Sequence, residues 1–423
     1  MPALTRLHDR LHTRRRLRQP SGLRFAMADR IDQLNPAAWD ALAEGRSWFF
    51  SRDYLRMLEQ TPPSCIEPRY GLISDDDGPV AAVVMQWVEL KAERLRPHAH
   101  AAPAAAKPRL KKLLDRAATG GGSALINRIS ERVLVCGNLL SYGEHAVAAA
   151  RDIAPQALWP AVAELLYRVR RADKLAGQAG FVLIKDVLEA QADSIAVLRG
   201  LSYRGVETGP NMVLQLDPAW RSHADYLASL ASKYRSATRK QILEPLQRAG
   251  LELRAFVPDA ALAERMHVLY LQVHENAGFR PFTLHPDYFR AFSDAAGARL
   301  RCTGLFDVRQ QLLGFIVTLG DGAQALAYHI GFDRAAAERL PLYLGLLHAS
   351  VGDGIALGAR ELSLGRTALE PKARLGALPQ PMTVWMRHRQ PLLNQLTLRL
   401  LGLVTHEEAP ERKPFKAEKP AAG

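Results

Sequence analysis

The chain has 423 residues, 48% of them hydrophobic, and a formal net charge of +13 at pH 7. This composition excludes a disordered chain, and the length allows two or three domains with cores of their own. No long apolar run and no signal-peptide pattern occurs, so we expect a cytoplasmic protein without stable membrane insertion. The three cysteines form no CxxC pair, which argues against a zinc ribbon or a disulfide framework.

Residues 1–27 read as a basic N-terminal tail. The first 24 residues hold seven arginines against one acid, and the rest of the chain is only mildly basic. That balance suits a protein that handles a phosphorylated cofactor as well as it suits an RNA-binding protein. We expect the tail to be disordered and dispensable, and Met27 offers an alternative start directly before the first globular pattern.

Residues 28–216 have the patterns of a first domain. Asn35-Pro36 predicts a helix N-terminus, and residues 51–60 predict a second short helix. Two β-rich runs flank Asp75-Asp76-Asp77-Gly78, which predicts a hairpin because Asp-Gly accepts the positive φ of a tight turn.

An exposed insertion is predicted at residues 91–128. Its alanines, prolines and glycines indicate a segment that is partly helical and partly mobile. His98 and His100 lie within it, but a metal site needs further ligands that the surrounding sequence does not supply. We therefore expect a solvated loop here and no metal in the protein.

The order strand, helix, strand follows the insertion. Residues 132–138 and 181–184 are β-rich, and the helix between them has apolar residues at spacings of four, three and four. That apolar stripe consists of Leu158, Val162, Leu165 and Val169.

Residues 217–403 show a similar order, followed by a polar C-terminal tail at 404–423. Residues 305–308 and 314–319 predict a hairpin, and 324–330 predict a third strand. A helix is predicted from Pro341 to a stop at Gly358, and 361–365 read as another strand. The apolar stripe of this helix consists of Leu340, Leu344, Leu347, Val351 and Ile355.

The two halves match each other in order and phase. Four stripe residues of the two helices are related by a constant offset of 182, and Phe181 matches Leu362 at 181. The upstream hairpins match at a larger offset of about 233 residues. The predicted insertion supplies most of the difference between these two offsets. The sequence therefore predicts an α/β protein (α+β mixed sheets) with two tandem domains, each a mixed β-sheet flanked by helices.

A basic helix is predicted between the halves, beginning near Ser222. Arg235 and Arg239 lie four apart on one face, and Lys240 follows. The face is either simply solvated or a clamp for phosphate or carboxylate groups, which forked guanidinium donors suit. Pro245 is expected to kink or end the helix.

These patterns resemble the Fem-like branch of the GNAT acyltransferases. The resemblance rests on the order of elements, on the basic helix, and on three short motifs: Gly331-Phe332-Asp333, Leu364-Gly365-Arg366, and the segment from Glu370 to Gly376. Val135-Cys136-Gly137-Asn138 and Gly143-Glu144-His145 are similar to segments of peptidoglycan-biosynthesis GNAT proteins. The resemblance covers about residues 28–400.

The resemblance implies two GNAT-like domains and an N-acyltransferase or N-acetyltransferase activity. Fem-type relatives take an aminoacyl group from tRNA, whereas ordinary GNAT proteins use acyl-CoA, so either donor is expected. The glycine-rich loop that holds the CoA pyrophosphate is degraded here, because only Gly345 remains of it, close to Tyr343. A helix N-terminus still offers amides to an anion.

Transfer of an acyl group to an amine needs a proton acceptor and a group that stabilises negative charge at the carbonyl. His329 and Glu275 are candidates for the first role, although a structural histidine and a solvated carboxylate are the alternatives. Lys372 matches the lysine of the Fem-like loop, and the resemblance implies that it stabilises the carbonyl or binds donor phosphate. Arg366 joins the predicted donor-binding residues, which also include Arg235, Arg239, Lys240, Tyr343 and Gly345.

Four polar residues are candidates for holding the acceptor. Asn138, Glu144 and His145 follow a first-half strand, and they form either an acceptor site or the loop's own capping network. Tyr328 precedes His329 at the end of a predicted strand, where one of the two is expected to face inward. The sequence favours an acyl or aminoacyl transferase acting on a cell-envelope or other small amine, and a catalytically silent GNAT-like binding module is the alternative.

Overall fold

The computed structural model describes residues 17, 19–91, 130–277, 280–395 and 409–416. They fall into two compact units. Unit 1 holds the described residues up to 208 together with 280–282 and 381–395, and unit 2 holds 209–277, 283–380 and 409–416.

The strands follow in chain order. They are β1 (Arg24–Ala28), β2 (Ile66–Ser74), β3 (Pro79–Lys91), β4 (Ser130–Cys136), β5 (Val147–Ala149), β6 (Ala179–Leu188), β7 (Arg204–Gln215), β8 (Glu252–Phe256), β9 (Leu300–Phe306), β10 (Leu312–Asp321), β11 (Gln324–Phe332), β12 (Glu361–Ser363) and β13 (Leu378–His388).

The α-helices are described in the same way. They are α1 (Pro36–Ala43), α2 (Arg52–Gln60), α3 (Pro155–Ala172), α4 (Ala192–Ile195), α5 (His223–Ser229), α6 (Ser232–Thr238), α7 (Glu244–Arg248), α8 (Ala260–His274), α9 (Tyr288–Ala296), α10 (Arg334–Ala337), α11 (Leu342–Ala356) and α12 (Leu369–Arg374). Among the described helices, none is long and apolar enough to cross a membrane.

Local sequence signals explain how the elements of unit 1 begin and turn. The Asn35 side chain accepts a hydrogen bond from the Ala38 amide at the start of α1, with Pro36 in the first turn. Ser51 caps α2 in the same way. The Asp75 amide donates to the Gly78 carbonyl at 3.0 Å, which closes the β2–β3 hairpin. These three predictions are confirmed.

The sheet of unit 1 has the order β1-β2-β3-β4-β6-β13, with β5 paired to β3. The apolar stripe of α3 is buried against one face, and Val162 and Leu165 are fully buried there. Gly71 of β2 lets α3 approach closely, since a Cβ at this position would lie 2.5 Å from Leu165 Cδ2. The predicted helix at 158–169 and the predicted strand at 133–135 are confirmed.

The sheet of unit 2 has the order β7-β12-β11-β10-β9-β8. Helix α11 packs against β9, β10 and β11, and Ile316 of β10 is buried with Leu342 and Leu346 of α11. Helix α8 packs against β10 and β11. A Cβ at Gly331 would meet the α8 backbone, so α8 lies on the face of the sheet opposite to α11. The predicted hairpin, the strand at 326–330 and the helix stop at Gly358, which has a φ of 70°, are confirmed.

Each sheet is completed by a strand from the other half of the sequence. In unit 1, β6 pairs with β13 in antiparallel register, for example Leu183 with Met386. In unit 2, β12 pairs with β7 in the same sense, for example Leu362 with Leu214. The two repeats therefore exchange their last strands. For this reason the compact units differ from the predicted segments 28–216 and 217–403.

The N-terminal tail is shorter than predicted. Residues 24–28 form β1, which pairs with β2 in a register that places Met27 opposite Gly71. The guanidinium carbon of Arg168 lies over the ring of Phe25, 4.6 Å from the ring centroid. The expected disorder up to residue 27 is therefore wrong for residues 24–27, because a short edge strand needs only a few alternating residues. That residues 1–26 are dispensable stays a prediction. The predicted insertion at 91–128 lies almost wholly outside the described residues.

Pro245 does not end its helix. A π-helical turn (Arg239–Leu243) joins α6 to α7, and the Glu244 amide donates to the Arg239 carbonyl. The wide turn comes directly before the proline, which then occupies the first turn of α7, where its missing amide proton costs little. The helix therefore continues to Arg248.

Candidate functional site

A β-bulge in β11 sets the orientation of two candidate residues. In the β10–β11 pairing Val317 lies opposite His329, but Thr318 lies opposite Ala327, so Tyr328 is the extra residue. The bulge interrupts the alternation of side chains along β11, so two consecutive side chains can point to the same face. The rings of both Tyr328 and His329 contact Phe292 of α9, at centroid distances of 5.3 and 6.1 Å.

His329 lies in an aromatic environment between β11 and α9. Its Nε2 is 3.1 Å from the Tyr288 hydroxyl, and the ring is edge-on to Tyr288 and Phe289. Burial lowers the pKa of His329 to about 3, because the apolar surroundings disfavour imidazolium. His329 is therefore neutral near pH 7 and is a weak base.

The sheet of unit 2 opens between β11 and β12. These parallel strands pair only over Gln324–Leu326 and Glu361–Ser363. Beyond that point β11 continues to Phe332, whereas the chain after β12 follows β7, since the Leu364 amide donates to the Met212 carbonyl. The Asn211 side chain fixes this departure by accepting from the Gly365 amide at 3.1 Å.

Lys372 lies on α12, which follows the β12 segment. Its side chain is buried with a residue exposure of only 3%. Burial lowers the pKa of Lys372 from 10.5 to about 7, because the ammonium loses its hydration. In the described part of the chain, its side chain has no hydrogen-bond or ion-pair partner.

Hydrogen bonds and ion pairs within unit 2 hold helix α12 in position. The carbonyl of Leu375 accepts a hydrogen bond from the buried Tyr226 hydroxyl at 3.0 Å. Glu370 accepts a hydrogen bond from Arg374 at 2.8 Å, and Arg412 Nη2 donates to both carboxylate oxygens of Glu370 at 3.0 Å. Residues 409–416 thus cross unit 2 beside α12.

The predicted basic residues lie on a different face of the unit 2 sheet from His329. Ile242 and Leu246, on the same helical run, are buried against α11, while His329 faces α9 on the other side. The Arg235 guanidinium donates to the Leu230 carbonyl at 3.1 Å and so caps α5. Arg239 and Lys240 are exposed. The structure therefore does not bring Arg235, Arg239 and His329 together.

The segment predicted as a donor-binding loop forms the N-terminus of α11. Gly345 packs against α7, where a Cβ would lie 2.5 Å from Leu246 Cδ1, so this glycine serves helix packing. Burial raises the pKa of Tyr343 to about 12, and its ring lies 6.2 Å from Phe332. Among the described residues, the backbone amides of Tyr343 and Leu344 have no acceptor. These two amides are the part of the predicted donor site that can meet an anion.

The remaining second-half candidates are more peripheral. Glu275 is the exposed C-cap residue of α8, and its amide donates to the Leu271 carbonyl at 2.9 Å. Arg366 is half-buried in the segment directly after β12.

The first-half candidates form a buried network in unit 1. The Asn138 amide group donates to the Tyr54 hydroxyl at 2.7 Å, and its oxygen accepts from the Leu140 amide at 3.0 Å. His145 Nδ1 is 2.7 Å from the Ser141 hydroxyl, and burial lowers the pKa of His145 to about 3. Burial also raises the pKa of Glu144. This arrangement fits the capping-network alternative.

Sequence reasoning missed two residues in this network. Lys185 forms an ion pair with Asp186, and Lys185 also donates to the Ser141 carbonyl at 2.6 Å. Asp186 has a φ of 54°, which is uncommon for a residue other than glycine. The sequence signal that could have indicated Lys185 and Asp186 is a pair of opposite charges near the end of an apolar strand. In the described part of the chain, no group of acidic residues, histidines and cysteines is arranged to hold a metal ion.

Comparison with known proteins identifies the second half. Residues 232–373, which include His329 and Lys372, match the model of the acetyltransferase (GNAT) domain family. No curated protein sequence matches the chain.

Several solved structures align with most of the chain. The crystal structure of FemX aligns with a TM-score of 0.51 at 10% identity, over 86% of this chain and 98% of that one. A tandem GNAT protein from the clavulanic acid biosynthesis pathway aligns with 0.48 at 14% identity, over 87% and 99%. L-PGS from Bacillus licheniformis aligns with 0.45 at 11% identity, over 83% and 96%. The likeness to FemX concerns the fold. Residues 232–373 therefore carry a GNAT acetyltransferase domain, in a chain whose fold is similar to that of FemX.

Proposed function

We propose that the protein transfers an acyl or aminoacyl group from an activated donor to an amine, with Lys372 as the proton acceptor. The observation that carries this proposal is the buried Lys372, whose pKa of about 7 suits general acid–base chemistry near neutral pH. It lies within the GNAT family match and on the helix that follows the opening between β11 and β12. His329, with a pKa of about 3, suits this role less well.

The proposed reaction balances without a metal or a redox step. The nitrogen of the acceptor attacks the donor carbonyl carbon, and an amide bond forms as the thioester or ester bond breaks. Lys372 takes the proton that the nitrogen loses and returns it to the departing sulfur or oxygen. In its protonated form the same ammonium stabilises negative charge on the carbonyl oxygen.

Donor phosphates are proposed to bind at the N-terminus of α11. The unused amides of Tyr343 and Leu344 supply hydrogen-bond donors, and the helix dipole favours an anion there. Arg239 and Lys240 add positive charge from the exposed side of the helix that packs on α11. Acyl-CoA and aminoacyl-tRNA both carry phosphates, so both remain candidate donors, and both are cytoplasmic molecules.

The acceptor is proposed to be a small amine or a cell-envelope precursor, including a peptidoglycan intermediate. The Fem-like fold supports this class. Tyr328, whose ring the bulge turns toward α9, is proposed to contact the acceptor. Asn138, Glu144 and His145 are proposed to support their loop.

A donor panel tests the proposal. Purified protein is incubated with acetyl-CoA, longer acyl-CoAs and charged tRNA in the presence of amine acceptors, and amide products are measured. We expect turnover with one donor, and Lys372→Ala should lower kcat/KM about tenfold or more. Lys413→Ala is the matched control, because Lys413 is exposed.

A catalytically silent binding module is the second candidate. The packing of Gly345 against Leu246 favours it, since this contact uses the last glycine of the donor loop. Turnover with none of the donors, together with no calorimetric binding of CoA, would support this second function and exclude the first.

A further inference from the structure

The end of α3 and the end of β13 form one basic surface on unit 1. We call it the arginine surface and define it by Tyr167, Arg170, Arg171, Leu175, Arg387, Arg389, Leu392 and Leu393. Tyr167 lies close to Arg170 and Arg171 of its own helix and also to Arg387 of β13. The Arg389 amide donates to the Gly180 carbonyl at 2.9 Å, which ties the end of β13 to the start of β6.

The four arginines of this surface lack acidic partners. Among the described residues, none of Arg170, Arg171, Arg387 and Arg389 forms an ion pair, and Arg171 donates instead to the Tyr167 hydroxyl at 3.3 Å.

The nearby acids are placed elsewhere. Glu164 binds Arg168 at 2.8 Å, and Asp173 binds Arg69 at 2.8 Å. The Glu131 carboxylate packs against Gly180 and reaches none of the four arginines. Within the described part of unit 1, none of these three acids forms an ion pair with the four arginines.

The arginines also repel one another. The pKa of Arg170 is lowered, first by burial and then by the positive charges of Arg387 and Arg389. A protein that gathers such charges without neutralising them gains on binding an anionic partner, because the partner removes the repulsion.

Large apolar side chains are also exposed at the ends of α3 and β13. Leu175 is 102% exposed and Leu392 is 82% exposed, while Tyr167 and Leu393 are 47% and 40% exposed. Leu175 follows Arg171 by four residues, and Leu392 follows Arg389 by three, so each of these exposed leucines is close in sequence to one of the arginines. Exposed leucines beside arginines indicate a partner with both an anionic and an apolar layer.

We propose that the arginine surface binds the face of an anionic lipid bilayer. The arginines meet lipid phosphates, and Leu175, Leu392 and Tyr167 enter the boundary between headgroups and acyl chains. RNA would contact the arginines and the Tyr167 ring through its phosphates and bases. It has no apolar layer in which three exposed leucines would be buried. The observations therefore favour a bilayer. This inference is independent of the proposed chemistry, since none of these residues belongs to the transfer site.

Vesicle sedimentation with the full chain tests the inference. The probes are vesicles of phosphatidylcholine mixed with phosphatidylglycerol, and vesicles of phosphatidylcholine alone, at low and high salt. We expect binding to the anionic vesicles that weakens with salt. Arg387→Ala/Arg389→Ala should weaken binding roughly 25-fold, because each arginine near a bilayer contributes roughly a fivefold factor. Leu392→Ser should weaken it as well.

The control variant is Arg290→Ala/Arg299→Ala, which removes the same charge from exposed positions of unit 2. It should bind like the wild type, and circular dichroism should show that all variants are folded. Equal losses in both double variants would overturn the inference, because they would indicate an effect of net charge alone. No binding of the wild type to anionic vesicles would also overturn it. A gel shift with single-stranded RNA that only Arg387→Ala/Arg389→Ala abolishes, with vesicle binding unchanged, would assign the surface to RNA instead.

Discussion

Replacing Lys372 by methionine should stabilise unit 2 at acidic pH. Methionine keeps most of the shape of the side chain and removes the charge that burial disfavours. The gap between 10.5 and about 7 in the pKa of Lys372 corresponds to about 5 kcal/mol at about 1.36 kcal/mol per pH unit. This is an order-of-magnitude value for the cost of keeping the ammonium in the folded protein.

The sign of the pH dependence follows from proton binding. Below pH 7 the lysine is protonated in both states, so the folded protein bears the full cost. Between pH 7 and 10.5 the folded state has lost the proton while the unfolded state keeps it, so stability rises with pH. The advantage of Lys372→Met should therefore fall from about 5 kcal/mol at pH 6 to about 2 kcal/mol at pH 9.

Urea unfolding followed by circular dichroism at pH 6 and pH 9 measures this difference. Lys413→Met is the matched control, and since Lys413 is exposed we expect no pH-dependent difference from the wild type. A Lys372→Met variant that is less stable than the wild type at both pH values, by the same amount, would refute the reasoning, because it would mean that Lys372 contributes packing and carries no buried charge.

Three further substitutions test the packing of unit 2. Gly331→Ala should cost about 1–3 kcal/mol in a thermal melt, because the new Cβ would lie 2.7 Å from a backbone nitrogen of α8; Gly320→Ala, whose nearest contact is 3.5 Å, should cost less. Asp353→Ala should cost about 1–3 kcal/mol in urea unfolding, because it leaves the buried hydroxyls of Thr303 and Thr318 without an acceptor; an unchanged stability would be inconsistent with this. Phe415→Ala should change the near-ultraviolet circular dichroism of Trp220, whose ring lies 5.7 Å away, and an unchanged spectrum would show that the segment 409–416 does not pack there in solution.

Much of the fold could be predicted because its signals are local. The Asn35 cap, the Asp75-to-Gly78 turn and the helix stop at Gly358 each depend on a few neighbouring residues. The organisation in two units could be predicted because the predicted helices at 158–169 and 340–351 keep the same apolar phase. Strand exchange left no such signal, since β7 and β13 have the same apolar character in whichever sheet they pair.

The candidate site was harder to predict because it depends on tertiary packing. The bulge at Tyr328 results from the register of β11 on β10, which no single strand sequence specifies. The placement of Arg235 depends on the end of α5, where its guanidinium caps a carbonyl. Lys372 was identified from a short motif, but its burial could be seen only once α12 was placed in unit 2.

The pH dependence of turnover tests the central claim most directly. With the donor that supports transfer, kcat/KM of the wild type should rise with pH through an inflection near 7, because the neutral amine of Lys372 is the form that accepts a proton. In Lys372→Met the inflection should disappear and the rate at pH 8 should be at least about tenfold lower. An unchanged inflection and rate in Lys372→Met would contradict the assignment of Lys372 to the chemistry of this transferase.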